Sequence, residues 1–341
     1  MNTRGYFEIM RETSLSVDPL IERYVRSLDP VASQLPKKRL HHPRLRDLAI
    51  RLGYEISGGS NWQTLIPVCA SYELLNCSSY CLNWIFDKKG GDKSQERIND
   101  LIMAGVELRE VSEQVLRDFN LSHLINGIHE VNQRIYQGQK LDLRVLRAAN
   151  MGSFRDFNEY LKTYYARCSG LSGAFYALGL SVGAGFTYAD STALHEIGEL
   201  LGAGLQASND LGDIALPSES ITVLEKPYKD QLSDLRQGKL TLPVYVMLTR
   251  GTPSQRRTLE QIIGKDYLSE IEYRDVIGIL FDSKAFDTSL EYLKKIQKRA
   301  KKKLYDAFVK SESRDIIARM LVAISSNKFI TAIKQCREMT V

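Results

Sequence analysis

The chain has 341 residues, 43 % hydrophobic and 26 % charged, with nine prolines and a net charge of +5. That is the composition of a soluble globular protein, long enough for one large core or two domains, and it leaves no room for a repeat array or a low-complexity chain. The mild positive charge is spread along the sequence, which suits an anionic small molecule and argues against a nucleic-acid partner.

Few runs alternate polar and apolar residues, so helix is the expected element throughout. The five cysteines, Cys69, Cys77, Cys81, Cys168 and Cys336, form no CxxC pair and no ligand-spaced set with histidine. They read as reduced thiols in a cytoplasmic protein. Cys77 and Cys81, four apart, read as small buried side chains rather than metal ligands. The first 25 residues hold no apolar run of the secretory kind, so no signal peptide is expected.

Residues 36–45, PKKRLHHPRL, place cations just before a helix expected over 44–57. Residues 69–90, CASYELLNCSSYCLNWIFDKKG, read as a helix ending in Asn83, Trp84, Asp87, Lys88 and Lys89. A further helix is expected over 99–119, with Leu101, Ala104, Gly105, Leu108 and Val111 inward. Residues 159–174 read as a regular helix, on which Arg167 points away from the position of Cys168. The most apolar stretch, 169–186, is rich in Gly and Ser and reads as a closely packed core helix rather than a membrane span.

The richest stretch is 195–243. Leu194, Ile197, Leu201 and Leu205 recur at helical spacing, and the same face continues as Gln206, Asn209, Asp210 and Asp213. Polar groups at the end of a core stripe are costly to bury unpaired. Converging oxygen donors suit a hard cation such as Mg²⁺. A buried helix end, its carboxylates paired with cations, explains the pattern equally well. Pro217 stops the helix, and Lys226, Lys229, Arg236 and Lys239 follow. Residues 273–309 suggest two more helices. The second has an apolar seam of Leu293, Ile296, Ala300, Leu304 and Ala307. A basic outer face runs from Lys294 to Lys303, either simply solvated or in weak contact with a membrane surface.

LGAGLQASNDLGD followed by EKPYKDQLSDLRQGKLTLP resembles the second aspartate-rich region of trans-isoprenyl diphosphate synthases. Gln206, Asn209, Asp210 and Asp213 stand for its Q-x-x-D-D-x-x-D, Lys226 and Lys239 for its two lysines, and 234–243 for its D-L-x-x-G-K-x-T-L-P. The likeness extends over 36–310. Lys38 and Arg39 match the Lys-Arg of G-K-R-x-R-P, whose next arginine is His41 here. Glu73 and Ser79 keep the register of E-L-x-H-x-x-S-x-x-x-D-D-x-x-D, with Asn76 for the His, Asn83 and Trp84 for two aspartates, and Asp87 retained. Gly138 to Asp142 matches G-Q-x-x-D, and Cys168-Ser169-Gly170 stands where the family has Lys-Thr-Gly.

The resemblance implies an all-α bundle of the isoprenoid synthase type, with the two acidic motifs walling a central cavity. It implies one helical domain over 1–341: an N-terminal extension (1–35), the family core (36–310) and a C-terminal end (311–341). Mg²⁺ is expected at Asp87, Asp210 and Asp213, helped by Asn83 and Asn209, with Asp87 and Asp213 as the catalytic pair. Allylic diphosphate is expected at Lys226, Lys239, Gln206 and Lys88, and isopentenyl diphosphate at Lys38, Arg39, Lys89 and Asn76. The implied reaction ionises an allylic isoprenyl diphosphate and transfers the prenyl group to isopentenyl diphosphate or another acceptor. The losses at Asn76, Asn83, Trp84 and Cys168 open two alternatives: a non-catalytic or regulatory subunit of a heteromeric synthase, and a class I terpene cyclase. A homodimer or a heteromeric synthase partner is the family expectation.

Overall fold

The computed structural model describes residues 5–86, 94–215 and 232–325, and these residues are helical with no strand among them. The helices are α1 (Tyr6–Val25), α2 (Pro30–Arg39), α3 (Leu45–Ile56), α4 (Ile66–Phe86), α5 (Gln95–Asp118), α6 (Ile125–Lys140), α7 (Phe157–Cys168) and α8 (Ala174–Gly185). There follow α9 (Thr192–Ala215), α10 (Ser233–Arg236), α11 (Leu242–Arg250), α12 (Pro253–Ile262), α13 (Glu270–Asp282), α14 (Ala285–Ala307) and α15 (Glu312–Ala323). None of the described helices is long and apolar enough to cross a membrane.

Local sequence sets many of the boundaries. Asp29 caps α2 by accepting from the Val31 N–H at 2.8 Å, and Pro30 supplies the preset φ of a first helical residue. Ser94 caps α5 and Asp156 caps α7 in the same way. Capping boxes open α12 (Thr252 with Gln255) and α13 (Ser269 with Glu272). Two helices change gauge: residues Leu141–Val145 after α6 and Ser169–Gly173 after α7 form π-helical turns. The regular helix expected over 159–174 is thus broken after Cys168. A π turn inserts one extra residue, which a 3.6-residue period does not register.

The chain divides into two units. The first takes residues 1–132, 175–198 and 304–319. Its core is α4, whose residues 67–78 are all buried, packed with α5, α1 and α3. Helix α8 approaches α3 backbone to backbone: a Cβ on Gly53 would lie 2.1 Å from the Leu180 carbonyl oxygen, and one on Gly183 would lie 2.2 Å from that of Ile50. Only glycine permits that approach. On α5, Leu101, Ala104, Gly105 and Leu108 are buried as expected. Val111 is only half-buried, and the inward position there belongs to Ser112, whose hydroxyl bonds back to the Arg109 carbonyl.

The second unit takes residues 133–174, 199–303 and 320–341. Its aromatic centre stacks Tyr160 of α7 on Tyr245 of α11, ring centroids 3.7 Å apart, and the Tyr160 hydroxyl donates to the Leu240 carbonyl at 3.0 Å. Residues 146–148 and 238–240 form a two-rung ladder. Ala148 N–H donates to Gly238 O, and Leu240 N–H to Leu146 O, both at 2.8 Å, around an isolated antiparallel bridge from Arg147 to Lys239. On α14, Leu293, Ile296 and Ala300 are buried and Lys294, Lys295, Lys298, Arg299 and Lys302 are exposed. The seam stops at Leu304, because Ala307 is exposed at the helix end.

Candidate active site

The second acidic region lies in the second unit, on the last two turns of α9. The apolar stripe is as expected: Leu194, Ile197 and Leu201 are buried, and Leu205 is half-buried. The four polar residues that follow do not share one environment. Asn209 is exposed, Gln206 and Asp213 are half-buried, and Asp210 is 2 % exposed.

Asp210 is occupied on both oxygens. Its Oδ2 accepts from the Tyr164 hydroxyl at 2.7 Å and from Arg167 Nη1 at 2.5 Å, and its Oδ1 accepts from Gln206 Nε2 at 3.1 Å. Arg167 does not point away from this region. It lies inside it, with Nε 2.5 Å from Asp142 Oδ1. Asp142 Oδ2 stands 3.4 Å from Lys239 Nζ, which is also 3.4 Å from Asp234 Oδ1. Burial acts to raise Asp142, but Arg167 and Lys239 outweigh it and hold this carboxyl below the usual range.

Asp213 holds a turn. Its Oδ1 accepts from Ser233 Oγ at 2.7 Å and Ser233 N–H at 3.2 Å, and its Oδ2 accepts from Asp234 N–H at 3.0 Å. Burial outweighs these bonds and leaves Asp213 raised. Burial, with the charge of Asp213 beside it, pushes Asp234 up to about 8. Cys168, at the position of the family's lysine, is fully buried, and burial pushes its thiol up to about 12. The neighbouring Ser169 hydroxyl joins Arg134 and Glu199 in a separate network.

The first motif and the cationic turn lie in the first unit. Arg39, in the last turn of α2, pairs with Glu73 of α4, which is 1 % exposed. Asn76 Nδ2 stands 3.4 Å from the other oxygen of Glu73 and is itself 1 % exposed. Lys38 is exposed, and Asn83 and Trp84 are half-buried near the end of α4. His41 has a left-handed backbone (φ 64°) and turns toward Asp18, its N–H 2.8 Å and its Nδ1 3.6 Å from the Asp18 carboxylate. A second arginine, Arg46, lies 4.8 Å from the centroid of the Phe175 ring and within 6 Å of Tyr80 and Tyr176. Arg46, ahead of Arg39, draws the Tyr80 phenol below its ordinary value. Asp87, Lys88, Lys89 and Lys226 lie outside the described residues.

Magnesium asks for hard oxygen donors with free lone pairs. Asp213 and Asn209 meet that on donor chemistry: they sit one turn apart on α9, neither is fully buried, and among the described residues Asp213 Oδ2 accepts a single hydrogen bond. Among the described residues Asp210 accepts as many bonds as Asp213 but is 2 % exposed, and one of its donors is the Arg167 guanidinium, which neutralises its charge. No group of three or more His, Cys, Asp or Glu stands ready for a metal among the described residues. Tyr164 and the inward course of Arg167 are not visible in the motifs, because their partners come from distant parts of the chain.

A family model described as polyprenyl synthetase matches residues 91–280. A curated short chain isoprenyl diphosphate synthase of Methanothermobacter thermautotrophicus is 24 % identical over 270 residues, covering 75 % of this chain and 79 % of that one. In fold, the chain is similar to a polyprenyl synthetase from Streptomyces coelicolor A3(2), with a TM-score of 0.76, 17 % identity and coverage of 94 % of this chain and 100 % of that one. It is also similar to a geranylgeranyl pyrophosphate synthase of Corynebacterium glutamicum crystallised with isoprenyl diphosphate and magnesium, with a TM-score of 0.75, 16 % identity and coverage of 96 % and 99 %. The family match spans more than half of the chain, including α9 and the ladder that carries Lys239, and the helical architecture is that of the isoprenyl synthases: the chain belongs to the polyprenyl synthetase family of prenyltransferases.

Proposed function

We propose that this chain ionises an allylic isoprenyl diphosphate and transfers the prenyl group to isopentenyl diphosphate or another acceptor with a carbon–carbon double bond. The observation that carries this reading is that Asp213 and Lys239 both contact Asp234 in the family-matched part of the second unit, with Asn209 one turn before Asp213 on α9. The curated relative's name and the ligands crystallised with the Corynebacterium synthase support the substrate class. In the proposed reaction the allylic C–O bond breaks and diphosphate leaves with the electron pair. The acceptor's double bond attacks the resulting cation, and a proton is lost. Asp213 and Asn209 would hold Mg²⁺, which supplies charge to stabilise the departing diphosphate. Lys239, with Lys226, would meet the same diphosphate. Lys38, Arg39 and Asn76 remain the residues proposed for isopentenyl diphosphate, with Lys89 beside them in sequence.

A non-catalytic synthase subunit is the second reading. It is favoured by Asn83 and Trp84 in place of two carboxylates and by the engagement of Asp210 with Arg167. Incubation of pure protein with Mg²⁺ and dimethylallyl, geranyl, farnesyl or geranylgeranyl diphosphate, with and without isopentenyl diphosphate, separates the two. A prenylated product seen by mass establishes transfer. Binding of the diphosphates without product supports the subunit reading, and absence of binding overturns both.

A further inference from the structure

The charged side chains of the second unit alternate in sign. Asp210 meets Arg167, Arg167 meets Asp142, and Asp142 meets Lys239, whose ammonium also lies 3.4 Å from Asp234, a carboxyl that burial and Asp213 hold toward its neutral form. Asp210, Arg167 and Asp142 are each 2 % exposed and Lys239 is 5 % exposed. In such surroundings ions persist only when paired, so each member depends on its neighbour. The central one is Arg167. Its guanidinium offers Nε to one carboxylate and Nη1 to another, a fork that a lysine ammonium does not possess. Fixing Asp142 through Oδ1 leaves Oδ2 for Lys239.

We propose that Arg167 is a positioning residue: through Asp142 it sets the place and charge of Lys239, and on its other side Asp210 serves as its internal counter-ion instead of a metal ligand. The role given to Lys239 rests on the diphosphate reading above. The role given to Asp210 rests on its burial and its charged partner: it is 2 % exposed and 2.5 Å from Arg167 Nη1, whereas Asp213 is half-buried and bonds to a hydroxyl and two backbone N–H groups. A metal on Asp210 Oδ2 would displace Arg167 Nη1 and the Tyr164 hydroxyl from the acceptor they share, inside the protein. The region therefore offers Asp213 and Asn209 to a metal, while Asp210, Arg167 and Asp142 form a separate buried set that fixes Lys239.

Two measurements on the full chain test this. The first is brief acylation of lysines with acetic anhydride, read site by site by mass spectrometry. In Arg167→Lys, labelling of Lys239 should rise about tenfold, the scale of a lost charged hydrogen bond, with the half-buried Lys301 and Lys303 unchanged. A general loosening of the fold would raise them all. Asp142→Asn, which keeps shape and removes the charge, should do the same and serves if Arg167→Lys fails to fold. Wild-type labelling of Lys239 in a folded variant overturns the positioning role, whether or not the protein binds diphosphate. The second is the melting-temperature rise caused by Mg²⁺ with inorganic pyrophosphate. Asp210→Asn should keep a magnesium-dependent rise and Asp213→Ala should lose it. Equal loss in both makes Asp210 a ligand and overturns its counter-ion role. No rise in the unmodified protein defeats the diphosphate reading and leaves the Lys239 labelling result standing on its own.

Discussion

Gly170 and Gly138 meet backbone to backbone in the second unit: a Cβ built on Gly170 would lie 2.8 Å from the Gly138 Cα and 2.7 Å from the Arg134 carbonyl oxygen. This contact brings the π turn after α7 against α6. Arg167 and Asp142 project from residues close to that crossing. Gly170→Ala should therefore cost about 1–3 kcal/mol, the usual penalty for overpacking, because the opposing atoms are backbone and cannot rotate away. Urea unfolding measures it, and a midpoint unchanged from the parent would show that the helices separate freely.

The pH dependence has a defined sign. Asp234 is raised from 3.8 to about 8, so the folded state holds its proton more tightly than the unfolded state. Its contribution to stability is complete below about pH 4 and fades as the pH climbs toward 8. Asp47 of the first unit, raised to about 7 chiefly by burial, acts in the same direction. Asp213, also raised by burial, adds to it, so the melting temperature should fall between pH 5 and pH 9, and Asp234→Asn should make that fall shallower by removing its own contribution. An identical slope in the variant refutes the assignment.

The described cysteines should be inert. Cys69, Cys77 and Cys168 are fully buried and Cys81 is 1 % exposed, and burial raises all four thiols. The thiolate is the reactive form. Iodoacetamide at pH 8 should leave all four unmodified in the native protein and modify them in urea. Native-state labelling of Cys168 would mean that the surroundings of Arg167 open readily.

The half-buried Asn83 allows a nearly isosteric addition of charge. If it takes part in metal binding as the resemblance implies, Asn83→Asp should tighten Mg²⁺ binding in the presence of pyrophosphate. A titration followed by calorimetry decides this, and an unchanged affinity removes Asn83 from the ligand set.

Much of the fold was legible because it rests on periodicity. The stripe Leu194, Ile197, Leu201 on α9 and the seam Leu293, Ile296, Ala300 on α14 can be read directly from helical spacing. The site was legible only as a set of motif positions. Spacing put Gln206, Asn209, Asp210 and Asp213 on one face, yet which of them is exposed depends on what arrives from elsewhere in the chain. For Asp210 that is Arg167 and Tyr164, 43 and 46 residues away. Arg167 lies in the regular part of α7, and its partners Asp142 and Asp210 come from 25 and 43 residues away, which no local period registers. His41 is a similar case. Its left-handed backbone and its bond to Asp18, 23 residues away, are not written in the local motif.

The two-rung ladder between 146–148 and 238–240 has a consequence for the order in which the molecule assembles. Arg147 and Gln237, joined at its edge, are 90 residues apart in the chain. Closing so long a loop is entropically costly before its contacts reward it, whereas α6, α7 and α9 can each form from local contacts. Lys239 therefore reaches Asp142 only when the ladder zips, late in folding, and leaves when the ladder opens. Amide exchange at Ala148 and Leu240 should thus report competence of the site at temperatures where the helices are still intact.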